Sequence, residues 1–425
     1  MKRKLLKQMG TQWRSNVWLV VELTIISVVM WYIVDLLTIM VSPMLEPDGF
    51  DIENCYKISF NRSGVLKEGE EPMSEAEERR ELIKRLRRYP GVEGVAISNA
   101  IEPYCGNFQS SYITDVDGDS TQYGECMPGT RYGWGNADFI RVFRIEGLRG
   151  ETPDRLADMF AKSNTNVIIS ENFYLSSDSA KRVNSSLDLL GHRLKLGSME
   201  DGYKVVCVVK NVKREDTSPL RHNSFTLFCM DDETDWALNS FGDLSIRVRP
   251  EVVKGFEKRF REDMGKQFHI GLTYVNGITS FEDVRAVRNN SDTKVKSKLY
   301  IVAGFLLLNV FLGLLGTFWY RTRQRVSEMA VRMTFGATRS SIFRRLLSEG
   351  VLLLVIATVL ATVIDCLLAH FELNIRQDSP HFTYGMMAWT VGVTFLLTMV
   401  VIVLGVYFPA RHAMRLEPSA ALHDE

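Results

Sequence analysis

The chain lacks the signatures of the common catalytic classes. No GxxxxGK[ST] loop occurs in its 425 residues, so it has no phosphate cradle and is not expected to hydrolyse ATP itself. HExxH, GxSxG and CxxC are also missing, and the seven histidines are scattered, which leaves no constellation for a metallopeptidase, a serine hydrolase or a dithiol enzyme. Excess charge of either sign is absent too: Lys+Arg and Asp+Glu balance at 51 each, so bulk charge gives no ground for a nucleic-acid partner. The stretch DVDGDSTQYGE, residues 115–125, has the acids of a calcium loop, but Ser120 stands at the glycine position and Cys126 where the closing glutamate belongs. It reads as a solvated acidic turn. No low-complexity tract interrupts the chain.

What is present is apolar length. Residues 17–41, 299–320, 350–371 and 386–408 are four apolar stretches of more than twenty residues each. At 1.5 Å per residue each can cross a hydrocarbon core of roughly 30 Å. The last three contain no Lys, Arg or Pro, and the first has only two acids, Glu22 and Asp35. No small-x-small cleavage site follows the first stretch, so it is expected to stay as an anchor. Loop charge sets the orientation. Residues 1–16 carry Lys2, Arg3, Lys4, Lys7 and Arg14 with no acid, and residues 321–349 hold seven arginines against Glu328 and Glu349. Both termini and the arginine-rich loop are therefore expected inside, with residues 42–298 and the short hairpin 372–385 outside. Leu5, Met9 and Trp13 can form the apolar stripe of a helix lying on the inner surface, an unstructured basic tail being the alternative.

The fold class expected is four transmembrane helices plus an α+β extracytoplasmic domain between the first and second. Ser74 and Glu77 form a capping box for a helix over 74–89, between strands at 56–60 and 92–98. A second β-α-β unit is expected at 243–249, 250–265 and 269–275, with Pro250 in the first helical turn. The two units, about 50–102 and 240–279, should pack together around a mostly-β insert, about 103–239. Residues 280–298 read as a helical stalk continuing into the second span, or as a plain charged linker. Cys105 and Cys126 bracket a loop, and Cys207 and Cys229 sit in strands expected to be neighbours. Each pair reads as a disulfide in an oxidising compartment or as buried thiols.

The arginine-rich loop is patterned. Val326, Met329 and Met333 make one apolar stripe, Glu328 and Arg332 are an i,i+4 pair, and Gly336 ends the short helix before Thr338 caps the next. A passive basic loop needs no such stripe. The spacing R-x-R-x-x-E-x-x-x-R-x-x-x-G-A-x-R-x-x-I, from Arg323 through Ile342, resembles the cytoplasmic segment of FtsX/MacB-type ABC transporter permeases, and YFPARHAMRLEPSAAL at 407–422 is similar to that family's closing pattern. NADFIRVFRIEGLRGETP and YKVVCVVKNV resemble parts of its periplasmic core domain.

That resemblance implies a permease subunit that dimerises and binds two copies of a separate ABC ATPase. The coupling contact would be carried by Glu328, Arg332, Met333, Gly336, Ala337, Arg339 and Ile342. No cofactor is expected in this chain, ATP and Mg belonging to the partner. With only sixteen residues before the first span, the ATPase is expected on another polypeptide. A bacterial inner-membrane location follows, with membrane lipids and a periplasmic adaptor or outer-membrane channel as further partners and a peptide, lipoprotein or amphiphile as cargo. The alternative from another class is an ATP-driven regulator of an outer partner such as a cell-wall hydrolase. Asp35 and Asp365 lie roughly 9 Å inside the outer ends of their spans, where ionisable groups face protein or water. They are read as lining an outward vestibule, or as meeting headgroups locally. Glu22, near the inner end, is expected against water or a neighbouring helix.

Overall fold

The computed structural model describes residues 13–63, 72–106, 109, 113–117, 131–176, 185–196, 202–218, 224–324, 338–371, 373 and 384–415. The chain divides into two compact units, residues 41–292 and residues 1–40 with 293–425.

The first unit is built on one eleven-stranded mixed sheet. Its strands are β1 (Cys55–Arg62), β2 (Val92–Asn99), β3 (Ile113–Asp115), β4 (Arg131–Gly135), β5 (Asn166–Ser170), β6 (Arg193–Leu196), β7 (Tyr203–Val209), β8 (Phe225–Cys229), β9 (Asp243–Val248), β10 (His269–Ile270) and β11 (Thr273–Ser280). Their spatial order is β10-β11-β1-β9-β2-β4-β8-β5-β7-β6-β3. The strands of the two β-α-β units occupy the first five places, and those of the insert the other six. Within the first half β9 lies between β1 and β2, antiparallel to both. Parallel pairing occurs at β4–β8 and β5–β7.

Helices cover both faces. Helix α2 (Glu75–Arg88) starts at the Ser74 capping box, has three glutamates in its first turn and three arginines in its last, and so complements its own dipole. It ends before Pro90 and Gly91, the latter at φ +93°. Its Leu82, Ile83 and Leu86 join Val95 and Ile97 of β2, Leu244 and Ile246 of β9, and Phe256 and Phe260 of α6 (Phe256–Gln267) in one core. Strand residues alternate between faces: Ala96, between Val95 and Ile97, belongs to the opposite core. That core is formed with Phe139 and Phe143 around α3 (Ala137–Val142) and Leu156 and Phe160 of α4 (Pro153–Phe160). Short α5 (Asp235–Ser240) completes the first layer. Pro250 departs from expectation. It begins a 3-10 turn, Pro250–Val252, and α6 starts only after Gly255, which sits at φ +75°. The strand expected at 269–275 is also two strands, β10 and β11, reversing at Gly271 with φ +56°.

The second unit contains α1 (Trp13–Val41), α8 (Arg339–His370) and α9 (Tyr384–Arg415). With them is the later part of α7 (Phe281–Gln324), one unbroken helix of 44 residues. Among the described residues four helices are long and apolar enough to cross a membrane, in Val17–Leu45, Phe281–Gly313, Phe343–His370 and Tyr384–Phe408. Thr338 caps α8 through its side chain, which accepts from the Ser341 amide. The interior holds Leu19, Leu23, Val310, Leu353, Leu354, Ala357 and Ile402 in one cluster and Trp31, Ala369 and Met387 in another.

Candidate functional site: a charged latch in the sheet domain

The sheet domain begins just after the first apolar helix and ends within α7. Both ends are clasped by one loop, residues 211–216, which follows β7. Lys213 has a fully buried side chain, and its Nζ donates to the carbonyl of Pro43 at 2.6 Å, to the carbonyl of Glu46 and to Asp48 Oδ1 at 3.1 Å. Its backbone amide donates to Asp48 O at 2.9 Å. Gly49, at φ +77°, lets the chain pass here, because a Cβ on it would fall 1.9 Å from Asn211 O. Three residues on, Asp216 accepts from Arg285 Nε at 2.9 Å and Asn289 Nδ2 at 2.6 Å, both on the first turns of α7, and from the Tyr104 hydroxyl at 2.8 Å. Arg288 Nε pairs with Glu215, and Arg285 reaches Asp48 at 3.9 Å.

Hydrogen bonding outweighs burial in the electrostatics of this joint. Burial opposes the Asp216 charge, but the hydrogen bonds from Arg285, Tyr104 and Asn289 outweigh it and hold the carboxyl below its usual range. Burial, joined by the bond to Asp216, pushes the Tyr104 phenol up, so it stays a donor. Tyr104 sits at φ +59°, a left-handed conformation costly for a tyrosine. Its amide bond to Arg214 O at 2.8 Å and its hydroxyl bond to Asp216 keep it there. Reasoning from sequence missed this site: its members run from Pro43 to Asn289, and each alone is an ordinary surface residue type.

Several expected site residues fall elsewhere. Glu328, Arg332, Met333, Gly336 and Ala337 lie outside the described residues. Arg339 and Ile342 stand in the first turns of α8, and their side chains also lie outside what is described. Glu22 packs close to Gly313, where an added Cβ would fall 2.9 Å from its Oε1. Asp35 and Asp365 are both buried, at 5% and 2% exposure, and are within electrostatic reach of each other.

The cysteines require a correction. Cys207 and Cys229 are free, buried thiols. They are not on neighbouring strands: β5 lies between β7 and β8. Two inter-strand steps of about 4.8 Å separate them, beyond the reach of a disulfide. Burial pushes their thiols up, to about 11 and about 12. Cys126, the other half of the Cys105 pair, lies outside the described residues. The acids at the start of the calcium-like stretch are engaged internally, Asp115 by His192 Nδ1 at 2.8 Å and Asp117 by Arg193 at 2.7 Å. Among the described residues no group of three or more His, Cys, Asp or Glu is placed to hold a metal.

Known proteins give this arrangement a context. Residues 300–418, which hold the later part of α7 with α8 and α9, match the family model of the FtsX-like permease C-terminal domain. The macrolide export ATP-binding/permease protein MacB of Escherichia coli is 28% identical over 300 residues, 68% of this chain and 42% of MacB. MacB of Campylobacter jejuni (strain 81-176) is 27% identical over 298 residues, 67% of this chain and 43% of that protein. The pyoverdine export ATP-binding/permease protein PvdT of Pseudomonas savastanoi is 33% identical over 124 residues, 29% of this chain and 18% of PvdT. The chain thus spans less than half the length of the curated relatives it matches. Residues 300–418 thus match the FtsX-like permease C-terminal domain, and the chain, with four membrane-length helices among the described residues and a sheet domain between the first and second in sequence, is similar to the permease part of MacB-type ABC transporters.

Proposed function

We propose that the chain is the membrane subunit of an ABC exporter, in which a separate ATPase drives movement of the sheet domain to export or extract a peptide, lipoprotein or amphiphile. The observation that carries this reading is α7: one helix runs from the end of β11 through the second apolar stretch. A continuous helix passes tilt or rotation along its length, where a flexible linker would absorb it. The latch supports the same reading. Because one loop grips both ends of the sheet domain, displacing α7 must displace residues 43–48 as well or break four charged contacts. In this reading the arginine-rich segment faces the cytoplasm, the sheet domain lies on the other side, two permease chains form the dimer, and two ATPase copies dock at residues 328–342.

The test uses the full chain in membranes with its ATPase. Glu328→Lys is expected to abolish co-purification of the ATPase while membrane insertion is retained. An unchanged pull-down would remove the coupling role from residues 328–335. A protease-protection map placing residues 42–298 on the ATPase side would overturn the whole reading.

A further inference from the structure

Among the described residues three lysines or arginines are buried: Arg131, Lys213 and Arg247, at 3%, 0% and 2% exposure. Two of them are saturated with acceptors. Lys213 serves two carbonyls and Asp48 in the latch. Arg247 donates through Nε to Val142 O at 2.6 Å, through Nη1 to Glu53 O at 2.8 Å and Asp51 Oδ2 at 3.3 Å, and through Nη2 to Asp51 O at 2.7 Å. Arg131 breaks this habit. Both of its Nη atoms are buried, and neither has a hydrogen-bond partner. What it has is an aromatic face, the Phe225 ring, whose centroid lies 5.5 Å from the guanidinium carbon. A cation–π contact offsets only part of what desolvating a guanidinium costs. Nor does the group escape by losing its charge. Burial, and then the positive charge of Arg214, pull it down to about 9, so it is still protonated at neutral pH.

Strand register fixes where this cation sits. Arg131 opens β4 opposite Phe225 of β8, and its amide donates to Ser224 O at 3.0 Å. Alternation puts it on the face of Gly133, while Tyr132 and Trp134 turn to the other core. On the Arg131 face an added Cβ at Gly133 would fall 2.7 Å from Ile101 Cβ, and Ile101 and Tyr104 share a core cluster with Phe225. Tyr104 leads to the latch: its amide donates to Arg214 O and its hydroxyl to Asp216, both at 2.8 Å. The acids of that loop are engaged elsewhere. Glu215 pairs with Arg288, and Asp216 accepts from Arg285, Asn289 and Tyr104.

A planar guanidinium fork with two bare N–H ends matches the oxygens of a phosphate or carboxylate. A buried donor that the fold itself leaves without an acceptor marks a place where a group from outside belongs. The positive potential of Arg214 favours an anion carrying more than one charge.

We propose that Arg131 is the binding residue of an oxyanion site in the sheet domain, beside the latch loop, which takes a phosphate group through its two Nη atoms. The phosphate is either the free ion or part of a lipid headgroup. Occupancy removes the one bare charge next to the latch among the buried cations described. The site is independent of which ATPase or cargo the protein serves.

Thermal unfolding of the full chain, purified in maltoside detergent without phosphate or added lipid, tests it. The wild-type midpoint should rise by about 3 °C on saturation with inorganic phosphate at constant ionic strength. Arg131→Met should start above the wild type in the phosphate-free buffer and gain nothing from phosphate, a combination that a poorly folded variant would not give. Arg131→Lys keeps the charge but loses the fork, and in equilibrium dialysis it should bind labelled phosphate about tenfold more weakly than the wild type. A rise with phosphatidylglycerol and none with inorganic phosphate, again lost in Arg131→Met, would assign the site to a lipid headgroup; a rise with inorganic phosphate assigns it to the free ion. No rise with either, or an equal rise in Arg131→Met, overturns the proposal. An Arg131→Met midpoint below the wild type in phosphate-free buffer also overturns it, since the chain itself would then be answering this charge. A rise with acetate as large as that with phosphate overturns the phosphate assignment.

Discussion

At the residue scale, stability turns on buried charges and how each is compensated. Lys213 has three acceptors and no exposure, so Lys213→Met would leave two carbonyls without this donor and the Asp48 carboxylate with only the more distant Arg285. Breaking a buried charged contact of this kind typically costs about 3 kcal/mol, and the variant's thermal unfolding midpoint should fall accordingly. Glu102 behaves differently. It shares the Lys57 ammonium, at 2.6 Å, with Asp243, and burial together with Asp243 raises its carboxyl from 4.5 to about 7. The folded state therefore keeps a proton that the unfolded chain has already lost. Between pH 4.5 and about 7 stability must fall as pH rises, by up to roughly 3 kcal/mol. Glu102→Gln should flatten that part of a denaturation profile; a slope unchanged by the substitution would assign it to another group. Asp216 has the opposite sign. Its depressed carboxyl adds stability that is present above the usual aspartate range and is lost as pH falls through the folded value. Arg131 is a buried cation with little compensation: neither Nη is hydrogen-bonded, Phe225 lies 5.5 Å from its guanidinium, and burial pulls it down to about 9. Arg131→Met is expected to raise the unfolding midpoint, since an apolar isostere avoids the desolvation cost.

At the element scale, local signals were readable and pairing was not. The Ser74–Glu77 box, the acidic first turn and the Pro90-Gly91 stop are all within reach of a helix's own sequence, and α2 has the expected cap. Ser74→Ala should lower stability by about 1 kcal/mol. The four apolar stretches were legible for the same reason, since length and composition are local properties. The strand order was not. Placing β5 between β7 and β8 depends on contacts across the sheet, and the Cys207–Cys229 expectation failed on that point. Helix α7 offers a direct test of mechanical continuity. Asn290→Pro would remove a backbone donor just past the latch residues Arg285 to Asn289 and cost about 3 kcal/mol locally. ATPase activity in the assembled complex should persist while transport stops; transport at the wild-type rate would show that an unbroken helix is unnecessary.

At the scale of the whole molecule, two units are joined at two points in the chain, and one loop of the sheet domain holds the residues next to both. Little of that was legible. Sequence periodicity finds helices and spans, but the latch arises from residues 43–48, 104, 213–216 and 285–289 meeting only after the sheet has formed. If the latch carries force, Asp216→Asn and Arg285→Gln should each reduce transport per ATP hydrolysed, by severalfold, while the ATPase still binds. Equal loss of ATP hydrolysis and transport would point instead to a general folding defect.

The position of β9 has a consequence for how the protein is made. Strands β1 and β2 are synthesised early, yet neither pairs with the other, and both wait for residues 243–248. A ribosome must therefore deliver well over half of the chain before the centre of the sheet can close. Until then the nascent domain displays three unsatisfied strand edges, both of β1 and one of β2, and the unburied faces of Leu82 and Leu86, a prolonged opportunity for chaperones to hold it and for proteases to cut it.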